Sequence, residues 1–438
     1  MTEQRVEVIG YSAADPSAVW AIAGDFCGAW HPAIDRMQAE RDARGALIRA
    51  FTVKGEETLY REQLVYRSDS DRTLTYTHLE GITGADRYVA RLAVSAREEG
   101  GSVITWSADI EAPAGRAEGI AAGTRMIFEA GLAALSEKAE REGLTVHTTR
   151  PAEPAALDHA SSAPLETVFV DDGPRLALTA TSSQQGPLLL FLHGIGGGRS
   201  NWISQLQAAA PTMRAAALDL RGYGDSALGP SQSTIEDYCA DILRVAEALK
   251  VDRLVLCGLS YGSWIATSFA MRHPQRLAGL VLSGGCTGMS EAPAEEREAF
   301  RRSRQVPLDV GQTPADFAPA VVDVLAGPDA SDELREKLRA SMAAIPAATY
   351  RDALDCFTHP PERFDFSRLT MPVLMMTGEH DRLAPPAEIR SVAGRIAGSA
   401  PHAYVRFETI AGAGHVCNVE RPDRYNAILA QFLSELPI

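Results

Sequence analysis

Residues 143–165, GLTVHTTRPAEPAALDHASSAPL, are the strongest single constraint on how this chain can fold. They are rich in Pro, Ala, Ser and Thr, lack sustained apolar periodicity and read as a linker. The texture changes across them. A chain of 438 residues is long enough for two or three cores. The expected organisation is a domain over 1–143, a linker over 144–165 and a domain over 166–438. Before the linker, extended runs near Val6–Tyr11, Leu47–Val53, Thr58–Tyr66, Arg72–His78, Arg87–Ser95 and Ser102–Ile110 lead into an amphipathic segment from about Ala117 to Glu142. After it, apolar strand runs alternate with helical patterns, which predicts a mostly parallel sheet covered on both faces.

Charge narrows the partners. Fifty-seven acidic against 42 basic residues leave a formal charge of −15, and such a field repels phosphate backbones and anionic lipid. Hydrophobic residues make up 45%, enough to build a core, yet no run of about 18 uncharged apolar residues occurs, and Met1–Gly10 lacks a basic stretch followed by an apolar one. The expectation is a cytoplasmic protein that acts on a small molecule and binds neither nucleic acid nor membrane, with a homo-oligomer left open. Six scattered cysteines form no C-x-x-C pair and no cluster at metal-ligand spacing. They read as reduced thiols, and no metal is expected.

The first region runs strand, short helix, antiparallel strands, long final helix. With Val19–Phe26, Trp30-His31-Pro32 and Thr105-Trp106-Ser107, it resembles the α+β helix-grip fold of the START-like (polyketide cyclase/dehydrase) superfamily over about residues 3–143. The resemblance implies a sheet wrapped around the long helix and an apolar cavity. Function does not follow from that fold. His31, Tyr66, Tyr76 and Tyr88 could line that cavity as polar groups, although a histidine before proline and tyrosines on strands are more often structural, and no catalysis is assigned there.

The second region carries chemistry. Gly258-Leu259-Ser260-Tyr261-Gly262 lies between the strand run Arg253–Cys257 and a helix beginning near Ser263. A G-x-S-x-G in that context is a nucleophile elbow, a turn so tight that both flanks must be small, with the serine at its tip. A serine hydroxyl needs a neighbouring base, and the base needs an anion to orient it. Downstream, Asp381 follows the strand run Pro372–Met376, and His415 follows Tyr404–Phe407 in a glycine-rich loop. Glu379 competes for the acid role, and His380 and His402 for that of the base. His415 is preferred because its glycine-rich loop can swing the ring toward Ser260, and Asp381 because G-x-x-D after this strand is the usual spacing in the family that the chain resembles, named below. A developing oxyanion needs donors, and Leu192-His193-Gly194-Ile195-Gly196-Gly197-Gly198 follows an early strand. The backbone N–H groups of Ile195 and Tyr261 are the expected pair, with His193 structural. Asp219–Ser226, D-x-R-G-x-G-x-S, reads as loop architecture.

These motifs, in the order Ser, Asp, His, make the second region resemble the α/β-hydrolase superfamily. The likeness is to capped members that include 3-oxoadipate enol-lactone hydrolases, small-ester esterases and non-haem perhydrolases. The implied fold is a mostly parallel sheet with a helical cap, placed at about 287–366. The implied activity is hydrolysis of a carboxylic ester or lactone of a small, largely apolar molecule, with the first domain as a ligand-binding module and no cofactor. Serine at 260 argues against haloalkane dehalogenases and epoxide hydrolases, which carry Asp there. A C–C bond hydrolase of a β-diketone or ring-cleavage product is the alternative, weakened because Gly197 or Gly198 stands where those enzymes usually carry proline. A non-catalytic receptor on a hydrolase fold is the reading from another class. Trp202, Trp264 and Phe269 could line an apolar acyl pocket, with Met289, Phe300 and Phe317 covering it, and packing in the core is the equal alternative. Arg301, Arg302 and Arg304 on a cap helix could steer a carboxylate, although a solvated helix face is the plainer reading.

Overall fold

The computed structural model describes residues 1–143, 164–182, 186–361, 363–399 and 404–438. The chain divides into two compact units, Met1–Ala160 with His402–Phe407 and Ser161–Pro401 with Glu408–Ile438. Residues 144–163 of the expected linker lie outside the described residues, and its last residue, Leu165, already opens a strand.

In the first unit β1 (Thr2–Ser12) is followed by α1 (Pro16–Ala23), β2 (Ile34–Arg41), β3 (Leu47–Val53), β4 (Leu59–Ser68), β5 (Thr73–Glu80), β6 (Arg87–Ala96), β7 (Ser102–Ala112) and α2 (Ala114–Gly143). The α1 helix starts where it does because Asp15 accepts the N–H of Ser17 at 2.8 Å and Pro16 supplies a preset φ at the first position. The strands form an antiparallel sheet in the order β1-β7-β6-β5-β4-β3-β2. The sequence reading misses β2. Its residues, IDRMQAER, bury no face, and the strand exists through pairing with β3 from Ile34 opposite Val53 to Arg41 opposite Leu47. The α2 helix packs along β1 and β7, and Phe128 on it stacks flat on Trp106 of β7, ring centres 4.3 Å apart. The Trp106 indole N–H donates to the Tyr76 hydroxyl at 3.0 Å, so this apolar core keeps its polar edge satisfied.

The second unit opens with β8 (Leu165–Val170) and β9 (Leu176–Thr181), then β10 (Leu188–Leu192), α3 (Ile203–Ala209), β11 (Ala215–Asp219), α4 (Ile235–Ala248), β12 (Leu254–Leu259), α5 (Tyr261–Arg272) and β13 (Leu277–Ser283). Four helices follow before the next strand: α6 (Ala294–Asp309), α7 (Pro314–Leu325), α8 (Asp332–Ala343) and α9 (Ala347–Thr358). The chain closes with β14 (Val373–Gly378), α10 (Pro386–Ser399), β15 (Val405–Ile410), of which Val405–Phe407 group with the first unit, α11 (Cys417–Glu420) and α12 (Pro422–Glu435). Strands β11, β10, β12, β13 and β14 lie side by side in parallel, and β9 and β8 join beyond β11 antiparallel. Every residue of the five parallel strands is buried, which is why they read as continuous apolar runs. The β8–β9 hairpin has no counterpart in the sequence reading, because β8 is a mostly exposed end strand without an apolar face. This is an α/β-hydrolase fold preceded by a helix-grip unit.

Candidate active site

The β12–α5 junction shows why its residue types are what they are. Ser260 adopts φ 54° and ψ −113°, a strained conformation for a non-glycine residue that turns the chain sharply from strand to helix. A side chain at Gly258 would lie 2.3 Å from the Gly262 carbonyl oxygen, and one at Gly262 would lie 2.3 Å from that of Leu192. Neither space exists. The strain is held by hydrogen bonds: the Ser260 N–H donates to the Ser283 carbonyl at 2.7 Å. The Ser263 hydroxyl sits 2.8 Å and 2.9 Å from the carbonyl oxygens of Gly258 and Ser283.

Asp381 and His415 come from the loops after β14 and β15. These loops are drawn together by the N–H of Glu379 on the Ile410 carbonyl (2.9 Å) and that of His380 on the Ala413 carbonyl (2.8 Å). His415 Nδ1 lies 2.9 and 3.0 Å from the two Asp381 oxygens. The carboxylate also accepts the N–H groups of Leu383 and Ala384, each at 2.8 Å, and the Thr377 hydroxyl at 3.3 Å. Burial by itself would raise the Asp381 carboxyl, but the hydrogen bond and charge of His415 and the two backbone donors outweigh it and hold the group below its ordinary range. Asp381 and His415 are both about 4% exposed, so the pair is shielded from bulk water. Glu379 instead accepts the Gly412 N–H at 2.9 Å on the exposed side, and the competing His402 lies outside the described residues. One positioning residue is absent from the sequence reading. Buried Glu420 accepts the N–H groups of Gly414 (3.0 Å) and Gly327 (2.7 Å) and so holds the His415 loop. It follows His415 in no recognisable motif.

The loop after β10 places an N–H with the same care. The Gly194 carbonyl accepts His193 Nδ1 at 2.8 Å and the Gly197 N–H at 2.9 Å. Because a trans peptide sets its N–H opposite its C=O, pinning that carbonyl aims the Ile195 N–H the other way. On its far side His193 Nε2 accepts the N–H of Leu220 at 3.0 Å. One ring nitrogen must therefore carry hydrogen and the other a lone pair, so the ring is neutral. Burial pushes its pKa down, against the raising influences of Asp219 and the Gly194 carbonyl. The other expected donor, the Tyr261 N–H, is the first of α5, where helix N–H groups have no intrahelical acceptor. Asp219 organises its turn as expected, accepting the N–H groups of Arg199 (2.8 Å) and Asp225 (3.2 Å).

Ser260, His415, Ile195 and Tyr261 border one pocket of about 360 Å³, walled on the other side by cap residues. Two expected lining residues do not belong to it. Trp202 is fully buried against Phe191 and Tyr425, ring centres 4.8 and 6.1 Å away, and Trp264 packs against Tyr261 and Phe357, each at 5.5 Å. Both are core residues near the motifs in sequence but turned away from the cavity. Phe269 is likewise core, and Phe317 packs on Tyr350. Met289 and Phe300 do line the pocket, with Arg304, the one of the three cap arginines that reaches it, and with Phe357, which no periodicity pointed to.

The first unit encloses a cavity of about 630 Å³ between its sheet and α2. His31, Tyr76 and Tyr88 line it, whereas Tyr66 does not. Its polar wall holds Arg49 and Glu62 as a buried ion pair at 2.6 Å, with the guanidinium 4.6 Å from the ring centres of both Phe26 and Tyr76. Among the described residues no three His, Cys, Asp or Glu side chains converge as a metal site would need, and no helix is long and apolar enough to cross a membrane.

Comparison with known proteins agrees with this division. Residues 187–422 match the model of the alpha/beta hydrolase fold family, and residues 3–140 match that of polyketide cyclase / dehydrase and lipid transport. The 3-oxoadipate enol-lactonase 2 of Acinetobacter baylyi is 24% identical over 242 residues, covering 55% of this chain and 86% of its own. The 2-hydroxy-6-oxononadienedioate/2-hydroxy-6-oxononatrienedioate hydrolase of Klebsiella pneumoniae is 29% identical over 265 residues, 56% of this chain and 86% of its own. Among solved structures, a thermophilic esterase from Thermogutta terrifontis superposes with a TM-score of 0.54 at 26% identity, covering 62% of this chain and 99% of that one.

Proposed function

The chain belongs to the alpha/beta hydrolase fold family, and from that premise we propose that its second unit is a serine hydrolase acting on a carboxylic ester or lactone of a small, largely apolar molecule. The observation that carries this is that Ser260, on its strained turn, and His415, backed by the buried Asp381, border one pocket. Ser260 Oγ adds to the substrate carbonyl while His415 takes its proton. Asp381, bonded to Nδ1, stabilises the imidazolium that forms. The carbonyl oxygen, now negative, receives the N–H groups of Ile195 and Tyr261. Collapse expels the alcohol, which takes the proton from His415. Water, deprotonated by the same ring, then frees the acid from Ser260. No step needs a cofactor.

A fluorophosphonate probe tests the assignment against a receptor reading. The wild type should gain one phosphonyl adduct, mapped to Ser260 by peptide mass, and Ser260→Ala should gain none. An unlabelled wild type would sink the proposal. The likeness to the Klebsiella hydrolase keeps C–C bond cleavage as the second reading. Turnover of vinylogous diketones with none of esters or lactones would select it. For the first unit, the 630 Å³ cavity supports a binding module for an apolar small molecule. Trp30 and Trp106 border that cavity, so their fluorescence should change on titration with such ligands. No change across a varied panel would count against it.

A further inference from the structure

One charge in the cap wall of the Ser260 pocket has no counter-charge. Arg304 lines the pocket, its guanidinium 3.5 Å from the ring centre of Phe300. Its hydrogen bonds go to neutral groups: Nη1 donates to the Phe300 carbonyl at 3.3 Å and the Ser303 hydroxyl at 2.9 Å, and the Tyr350 phenol is its other polar neighbour. Among the described residues it forms no ion pair. Other arginines of this region do so: Arg301 with Glu298 at 2.7 Å, Arg351 with Asp309 at 2.5 Å and Arg395 with Glu291 at 2.6 Å. A chain with a net charge of −15 has acids to spare, and none is placed here.

The pocket does contain acids, but helix geometry keeps them apart from Arg304. Glu296, Phe300 and Arg304 fall four residues apart along α6 and all three face the cavity. Eight residues of helix rise roughly 12 Å, so Glu296 stands at one end of this face and Arg304 at the other. Glu388 on α10 belongs with the acidic end. Burial and then the charges of Asp381, Glu296 and Glu291 raise its pKa, and no cation offsets them. Burial likewise pulls Arg304 down, opposed only by Tyr350. The other charged arginine of the wall, Arg382 in the loop after β14, is exposed and donates to the Asp323 carbonyl at 3.1 Å.

We infer that Arg304 is a specificity-determining residue that binds a carboxylate of the substrate remote from the bond cleaved. The reading rests on the Ser260 pocket being the hydrolytic site. A guanidinium meets a carboxylate through paired N–H donors, and here the ligand would supply the counter-ion that the protein withholds. The acidic end around Glu296 and Glu388 repels the same group, so the polarity along α6 also sets which way the substrate lies. The class is therefore an ester or lactone that keeps a free acid, such as a half ester of a dicarboxylic acid.

The test pairs esters that differ in one charge: 4-nitrophenyl butyrate with mono-4-nitrophenyl glutarate for a charge on the acyl side, and phenyl acetate with 4-acetoxybenzoate for one on the leaving group. In the full-length protein Arg304→Gln should lower the charged-to-neutral ratio of kcat/KM by about tenfold or more in at least one pair, mainly through KM, and Arg304→Lys should restore part of it. The neutral ester of each pair serves as the internal control for a misfolded variant. Ratios within twofold of wild type in both pairs would overturn the inference. If the wild type cleaves none of the four, fluorophosphonate labelling judges the hydrolase reading separately, and titration calorimetry with glutarate decides this one. Binding weakened about tenfold by Arg304→Gln supports it, and equal or undetectable binding overturns it.

Discussion

His31 in the first unit and His415 in the second are equally secluded, 7% and 4% exposed, yet their surroundings differ in one respect. His31 Nε2 faces the Ile127 carbonyl at 2.9 Å and its Nδ1 accepts the Ala33 N–H at 3.1 Å. Both nitrogens are committed to the backbone, as they are in His193. His415 offers Nδ1 to a carboxylate, and among the described residues its Nε2 has no bond. Backbone on both sides locks an imidazole neutral and makes it a strut. A buried carboxylate on one side, with a pocket bordering the ring, is the setting in which we propose that it acts as a base. The cavities repeat the contrast: in the first unit the buried cation Arg49 is already matched by Glu62, whereas in the second Arg304 has no acid.

The largest expected effect breaks or upholds the contrast at its centre. Ser260→Ala and His415→Ala should each lower kcat on a cleaved ester by about 10⁴ to 10⁶-fold while the far-ultraviolet spectrum stays native. A rate within tenfold of wild type would show that the carboxylate-backed histidine is only another strut. Asp381→Asn keeps the shape but removes the charge, and a loss of roughly 10⁴ in kcat is expected, measured on the same ester. A smaller loss, comparable to that of a distant core substitution, would count against orientation of His415 by Asp381.

His193→Ala tests whether a strut can matter to chemistry. It leaves the Gly194 carbonyl and Leu220 N–H without their ring partners, so about 1–3 kcal/mol of stability should go. The freed Ile195 peptide should cost about 10² in kcat with little change in KM. Stability loss without the kcat loss would confine His193 to the fold.

The smallest effect is acid sensitivity. Burial lowers His31, with Arg49 adding to it against the Ile127 carbonyl, and lowers His193 as described above. Each folded pKa is thus below the unfolded one, near 6.5, and the unfolded chain takes up more protons as pH falls past that value. Stability should therefore decline below about pH 6.5, by at most about 1.4 kcal/mol per group per pH unit, and stop declining on this account below the folded values. Urea midpoints at pH 7.5 and 5.5 measure it, and His31→Gln should flatten the slope. An unchanged slope would mean that His31 is protonated in the fold.

How much of this was readable in advance follows from where each signal originates. The turn at Ser260 announces itself because Gly258 and Gly262 are required by contacts closer than any side chain permits. Asp381 and His415 are marked by their places just after apolar strands. The five parallel strands are legible because burial on both faces leaves only apolar residues to choose from. Strand β2 is illegible for the opposite reason: a strand that buries neither face carries no period. Trp202 and Trp264 mislead because nearness to a motif along the chain says nothing about which way a ring turns.

Local chemistry thus determined the alternation of elements and the elbow, since each follows from sterics or periodicity within a few residues, whereas the choice of Asp381 over Glu379 came from the spacing of the family it resembles. Only tertiary structure decided that His193 aims the Ile195 peptide, that Glu420 holds the His415 loop, and that Arg304 alone among three clustered arginines turns into the pocket. Those roles depend on which side chains from distant helices and loops fill the space opposite. A cap helix exposes its charges equally in sequence, and packing chooses the one that lines the cavity.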